Sequence, residues 1–228
     1  MYEKFKELDG THPWRLVSPD GYVDYQARYR PRGRVLYVNF SLAEELGLIP
    51  KNHPHTITKE LASAILETFS LTIINEHDVK EGKKFSPETI RPDVYMATRY
   101  LQTQHRNKQG KTSGDGRSIW NGHLKTKHLT FDITSRGTGA TILSPGAQAA
   151  PDQIVKTGDE SYGYSSGLAE LDEMLGSAVM SEIFYRQNIP TERCLAVIGY
   201  SDGSAIGVDR GGYQPRPIPV RYSLASRM

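Results

Sequence analysis

An α+β layer is predicted, with a sheet packed against one dominant helix. Three observations lead there: strand-like runs in the first half of the chain, one long helical period near residues 166–188, and strand-like runs again after it. No internal repeat interrupts that order. The first thirty residues are rich in Tyr, Arg, Pro and Gly without a helical or strand period, and are expected to form an extended arm over residues 1–33. Arg34-Val-Leu-Tyr-Val-Asn-Phe40, β-branched and aromatic, is the first expected strand. Ser41-Leu-Ala-Glu44 has the spacing of a capping box, and Gly47 suits the end of the short helix that follows. Residues 58–69 place Leu61, Ile65, Leu66 and Phe69 on one helical face, and 71–75 is expected as a buried strand.

Residues 76–93 and 105–115 are charged and rich in Gly and Lys, and are expected as exposed connections. Paired strands are expected over 118–124 and 128–134, the second with Leu129, Phe131 and Ile133 on one face. A third strand is expected over 140–143, before a small-residue loop at 144–150. In the long helix, Leu168, Leu171, Leu175, Ala178, Val179 and Phe184 fit a 3.6-residue period. Strands are expected again over 193–200 and 218–224.

The bulk properties exclude several classes. With 37% hydrophobic and 24% charged residues in 228, the chain can build a core. Lys+Arg total 28 against 26 Asp+Glu, a balance that gives no electrostatic reason to expect a nucleic acid or an anionic membrane as partner. Cys194 is the one cysteine, so an intrachain disulfide is impossible; its apolar neighbours suggest a small buried hydrophobe. Neither a transmembrane-length apolar run nor a signal-like start is present, and the cytoplasm is the expected compartment. His53 with His55, and His123 with His128, are the close histidine groups; both are expected as surface histidines rather than metal ligands.

Three stretches suit chemistry. Gly114-Asp-Gly-Arg117 precedes a strand, and glycines there let backbone N–H groups approach a phosphate while the arginine adds charge. The competing reading is a hairpin turn, for which Asp-Gly is a common signal. Arg136-Gly-Thr-Gly139 places a cation after a strand, beside glycines; it lacks both the Rossmann and the Walker A spacing. Ser181-Glu182 and Ile189-Pro-Thr-Glu-Arg-Cys-Leu195 join the long helix to a strand.

Taken in order, these stretches resemble the selenoprotein O family. Its members carry Leu-Gly-Asp-Gly-Arg-Ala, Leu-Lys-Gly-x-Gly-x-Thr, Ser-Glu-Ala-Met and Gly-Ile-Pro-Thr-Thr-Arg-Ala-Leu, and an early Val-Asn-x-x-Leu-Ala-x-x-Leu-Gly that is similar to the segment at 38–48. The resemblance covers roughly residues 34–225. It implies a protein-kinase-like N-terminal lobe over 34–228, binding ATP with Mg²⁺ or Mn²⁺, in a family that transfers AMP to protein hydroxyl groups. Under it Gly114, Gly116 and Arg117 belong to the nucleotide loop, Arg136 takes the phosphate-holding lysine position, and Glu173 (or Glu170) stands in for the helix glutamate, whose place falls on Ser177. Asp159 corresponds to a blurred Gly-Asp-Gly, and Arg221 to the first of two nucleotide-contacting arginines. The family's Asn-Thr-Asp-Asn and Asp-Tyr-Gly segments, which supply its base and metal ligands in a C-terminal lobe, are missing from these 228 residues. No catalytic residue is therefore assigned; the expectation is the nucleotide-binding portion of an adenylyltransferase or, alternatively, an inactive kinase-like binding module.

Overall fold

The computed structural model describes residues 2–102, 111–127, 129–144, 147 and 154–211. Its strands are β1 (Tyr22–Tyr29), β2 (Arg34–Val38), β3 (Leu71–Ile73), β4 (Ile90–Gln102), β5 (Lys111–Gly114), β6 (Ser118–Lys125), β7 (Thr130–Arg136), β8 (Ala169–Glu170), β9 (Arg193–Gly199) and β10 (Ser204–Arg210). They form one sheet in the order β2-β9-β10-β7-β6-β4-β1-β3, with β5 on β4 and β8 on β10. Each strand pair among the described residues is antiparallel. The helices are α1 (Trp14–Val17), α2 (Phe40–Glu45), α3 (Lys59–Phe69), α4 (Glu76–Lys80) and α5 (Leu171–Arg186). The molecule is thus α+β, as expected. Among the described residues no helix is long and apolar enough to cross a membrane.

One face of the sheet carries the main core. Leu42 and Leu46 from the α2 region, Leu61, Ile65 and Phe69 from α3, and Phe5 and Leu8 from the N-terminal segment pack on Val35, Ile133, Ile198, Ile206 and Val208. Each such side chain contributes about 1.5–3 kcal/mol by leaving water. Helix α3 starts where the sequence suggests, with the Thr58 hydroxyl accepting from the Leu61 N–H. The cap of α2 moves two residues upstream. Asn39 has extended backbone and its side chain accepts from the Leu42 N–H at 3.1 Å, leaving Ser41 inside the helix.

The other face is covered by α5, which lies on β9 and β10. An α-helix is about 10–12 Å across and strands are about 4.8 Å apart, so one helix shades roughly two strands. Contact is made through Met174 and Ala178 against Ala169, Cys194, Val197 and Ala205. Gly207 admits this close approach: a Cβ there would run into the Met174 sulfur. The apolar stripe expected to face the core does so in part, through Ala178 and Leu171. Leu175, Val179 and Phe184 are exposed, Val179 at 60%, together with Met180 and Ile183.

Other expectations shift for identifiable reasons. The first thirty residues are not a periodless arm, because β1 pairs with both β3 and β4. Residues 76–93 hold α4 and the start of β4, and the segment at 111–114 is β5. Asn75, expected to end a strand, instead caps α4. Residues 140–143 form a turn, not a strand. Thr141 is used to brace the 114–117 turn, its N–H donating to the Gly116 carbonyl and its hydroxyl to that of Asp115. The long helix begins at Leu171 because Gly167 is left-handed (φ +85°), where a Cβ would collide with the Ala140 backbone. Residues 204–210 add β10, unforeseen in the sequence, and the strand expected at 218–224 lies outside the described residues, as does His128. His53 is buried rather than on the surface; it shares a hydrogen bond with the Tyr2 hydroxyl at 2.9 Å and stacks on Phe40.

Candidate functional site

Helix α5 covers β9 and β10 and leaves the β5–β6 turn and the end of β7 at its side. A cleft of about 310 Å³ opens there, at the lower end of the range typical for ligand sites. Gly114, Gly116, Arg117 and Arg136 all line it. The sequence-predicted loop and the sequence-predicted cation are therefore brought together, from β5–β6 and from the end of β7.

The 114–117 turn is tightly built. Asp115 donates its N–H to the Thr98 carbonyl at 2.9 Å, and its carboxylate accepts from the Thr98 N–H and the Trp120 indole, each at 3.0 Å. These bonds tie β4, β5 and β6 at one point. Gly114 is demanded by packing, since a Cβ would overlap the Thr98 carbonyl. The 136–139 stretch differs in character. The N–H groups of Gly137 and Thr138 donate to the Arg117 carbonyl, and that of Gly139 to the Gly167 carbonyl. Those donors are engaged inside the protein and leave no cradle for a phosphate.

Both cleft arginines are paired. Arg117, only 8% exposed, forms a two-pronged ion pair with Glu173 in the first turn of α5, its Nη1 donating at 3.0 Å and its Nη2 to the other oxygen. Its Nη1 also donates to the Leu168 carbonyl at 3.2 Å, and its guanidinium lies 4.2 Å from the centre of the Tyr164 ring. Arg136 donates through Nε to Asp209 on the neighbouring β10 at 2.8 Å. The buried Asp209 carboxylate holds Arg136 more firmly protonated than usual, against the opposing pull of burial. The Arg136 side chain, about a quarter exposed, lines the cleft. Glu173 therefore pairs with Arg117, and Arg136 is held by a strand carboxylate.

Two expected site residues lie elsewhere. Asp159 is half-buried and caps the turn at 160–166, its carboxyl held below the ordinary range by the Ser161 hydroxyl and N–H that bind it. Arg221 lies outside the described residues. Conversely, Asp209, Glu192, Tyr100 and Tyr164 line the cleft without having been singled out. Asp209 had a readable signal: Ala205, Gly207 and Asp209 alternate onto the face that meets α5 and the cleft. The formal charges lining the cleft are two arginines against Asp115, Glu192 and Asp209.

Apart from Glu192, which lines the cleft, the 181–195 stretch acts as a lock. Arg193 donates to both oxygens of Glu182, at 2.7 and 3.0 Å, and to Glu45 at 2.8 Å, while the Tyr185 ring stacks 3.7 Å from its guanidinium. Burial pushes the Glu182 carboxyl up, but the Arg193 hydrogen bonds and charge outweigh it and hold it below the ordinary range. Cys194 is buried and burial pushes its thiol well up, which suits packing and not nucleophilic attack. Among the described residues no group of three His, Cys, Asp or Glu is arranged to hold a metal ion. No protein-family model matches the chain, and no curated protein matches it.

Proposed function

We propose that the cleft binds a nucleotide, and that the chain is the nucleotide-binding front lobe of a kinase-like protein related to the selenoprotein O family. The observation that carries this reading is the Arg136 side chain, held through Nε by Asp209 and lining the cleft. A guanidinium so held offers parallel donors to phosphate oxygens. Gly114 and Gly116 line the same cleft, and the Arg117–Glu173 pair ties the 114–117 turn to α5. Because acids outnumber arginines in the lining, an anionic ligand is favoured when it arrives with its own cation. ATP carrying Mg²⁺ or Mn²⁺ meets that requirement.

Bound ATP would supply the α–β phosphoanhydride, which breaks as a protein hydroxyl, losing its proton, bonds to the α-phosphorus and pyrophosphate leaves. The residues of this chain act by holding and orienting it: Arg136 on the phosphates, the 114–117 turn beside them, and Glu173 fixing Arg117. A second reading, binding without transfer, is favoured by the partner choice of Arg136, which pairs with strand residue Asp209 instead of a helix carboxylate. Thermal denaturation with ATP and Mg²⁺ tests the common part. A ligand of the native state at about 100 times its Kd stabilises by about 2.7 kcal/mol. That shift should vanish in Arg136→Ala and survive in part in Arg136→Lys; no shift in the wild type rejects nucleotide binding. Incubation with labelled ATP then separates the two readings, because only the transferase leaves AMP on protein.

A further inference from the structure

Two aromatic rings stand in the cleft lining beside all this charge. Tyr164 is 69% exposed and Tyr100 is 38% exposed. Tyr164 is no loose surface residue. It belongs to the turn at Glu160–Ser166, which Asp159 caps and the Gly158 N–H closes on the Ser166 carbonyl at 2.9 Å. The Arg117 guanidinium, itself anchored by Glu173, lies 4.2 Å from the ring centre. The ring is thereby held in place while most of its surface stays in water. A fixed tyrosine with an arginine behind it is a stacking platform, and every nucleobase has a π-face to lay on it.

We infer that the cleft selects a ring-bearing polyphosphate over polyphosphate alone, with the base stacked on Tyr164 at the mouth, beside Tyr100, and the phosphates turned inward to Arg136. This rests on the nucleotide reading above and adds to it an orientation and a specificity residue. Stacking of this kind corresponds to about tenfold in affinity or more. Calorimetric titration of the full chain with ATP·Mg²⁺ and with tripolyphosphate·Mg²⁺ tests it. The wild type should bind ATP about tenfold more tightly than tripolyphosphate. Tyr164→Ala should bring ATP down to the tripolyphosphate level and leave tripolyphosphate unchanged, while Tyr164→Phe keeps the preference. Equal binding of the two ligands by the wild type, or an equal loss of both in Tyr164→Ala, overturns the inference and leaves phosphate recognition standing. If the wild type binds neither ligand, the nucleotide reading falls and the inference with it.

Discussion

The two faces of the sheet are packed by opposite means. On one, Leu42, Leu46, Leu61, Ile65 and Phe69 seal against β-branched residues of the central strands, and several are wholly inaccessible. On the other, α5 touches the sheet through Met174, Ala178 and small residues, and the space beside it is occupied by ion pairs. The first arrangement gives stability without chemistry. The second accepts a narrower apolar contact and so keeps a cleft open in which charged groups are held by partners. The difference teaches where to cut: substitutions on the α2–α3 face should unfold the protein, and those on the α5 face should change what it binds.

The largest expected effect is on the sealed face. Phe69→Ala should lower unfolding free energy by about 3–5 kcal/mol in urea denaturation. A loss under about 1 kcal/mol would mean that this face is not the main core. Next comes the lock beneath α5. Glu182→Gln should cost about 1 kcal/mol at neutral pH, the partner Arg193 being buried but Glu182 part-exposed. Because the folded Glu182 value is depressed, its contribution is full above the ordinary glutamate value near 4.3 and fades as pH falls through the lower folded value. The wild-type and variant stability curves should therefore converge in acid; a gap that widens there contradicts the assignment.

A double-mutant cycle on Arg117→Ala and Glu173→Gln should show coupling of about 0.5–1 kcal/mol, with Glu173 more than a third exposed. Strict additivity would separate the two side chains in solution. The smallest effect belongs to the outer stripe of α5: Val179→Ser should stay within about 0.5 kcal/mol. A large loss would show that this stripe is covered in solution.

Much of the frame was legible in the sequence, and the misses share a cause. Segments with one polar and one apolar side, such as β7 and α3, announce themselves by period. Strand β4 does not, because Tyr95, Met96, Ala97 and Thr98 are all buried and both sides of the strand are covered. Strand β10 lacks a clear run of strand formers because Ser204 meets Arg30 and Asp202, Gly207 admits Met174 of α5, and Asp209 pairs with Arg136. The apolar stripe of α5 misled in part: Ala178 meets the sheet as its period suggests, but Met174 joins it there, and Leu175, Val179 and Phe184 are left exposed. At the site, glycines and arginines were readable as types. Their partners were not, since pairing Arg117 with Glu173 spans 56 positions of sequence.

Arg136 is an arginine whose freedom is already reduced. An unheld side chain of this kind gives up about 2 kcal/mol of rotamer entropy when a ligand fixes it. Here the Asp209 contact takes up part of that loss while the chain folds, so on the proposed nucleotide reading a phosphate would meet a guanidinium already held at Nε. The corollary is kinetic as well as thermodynamic: encounter is left more to the ligand's orientation, the arginine being partly set in its own.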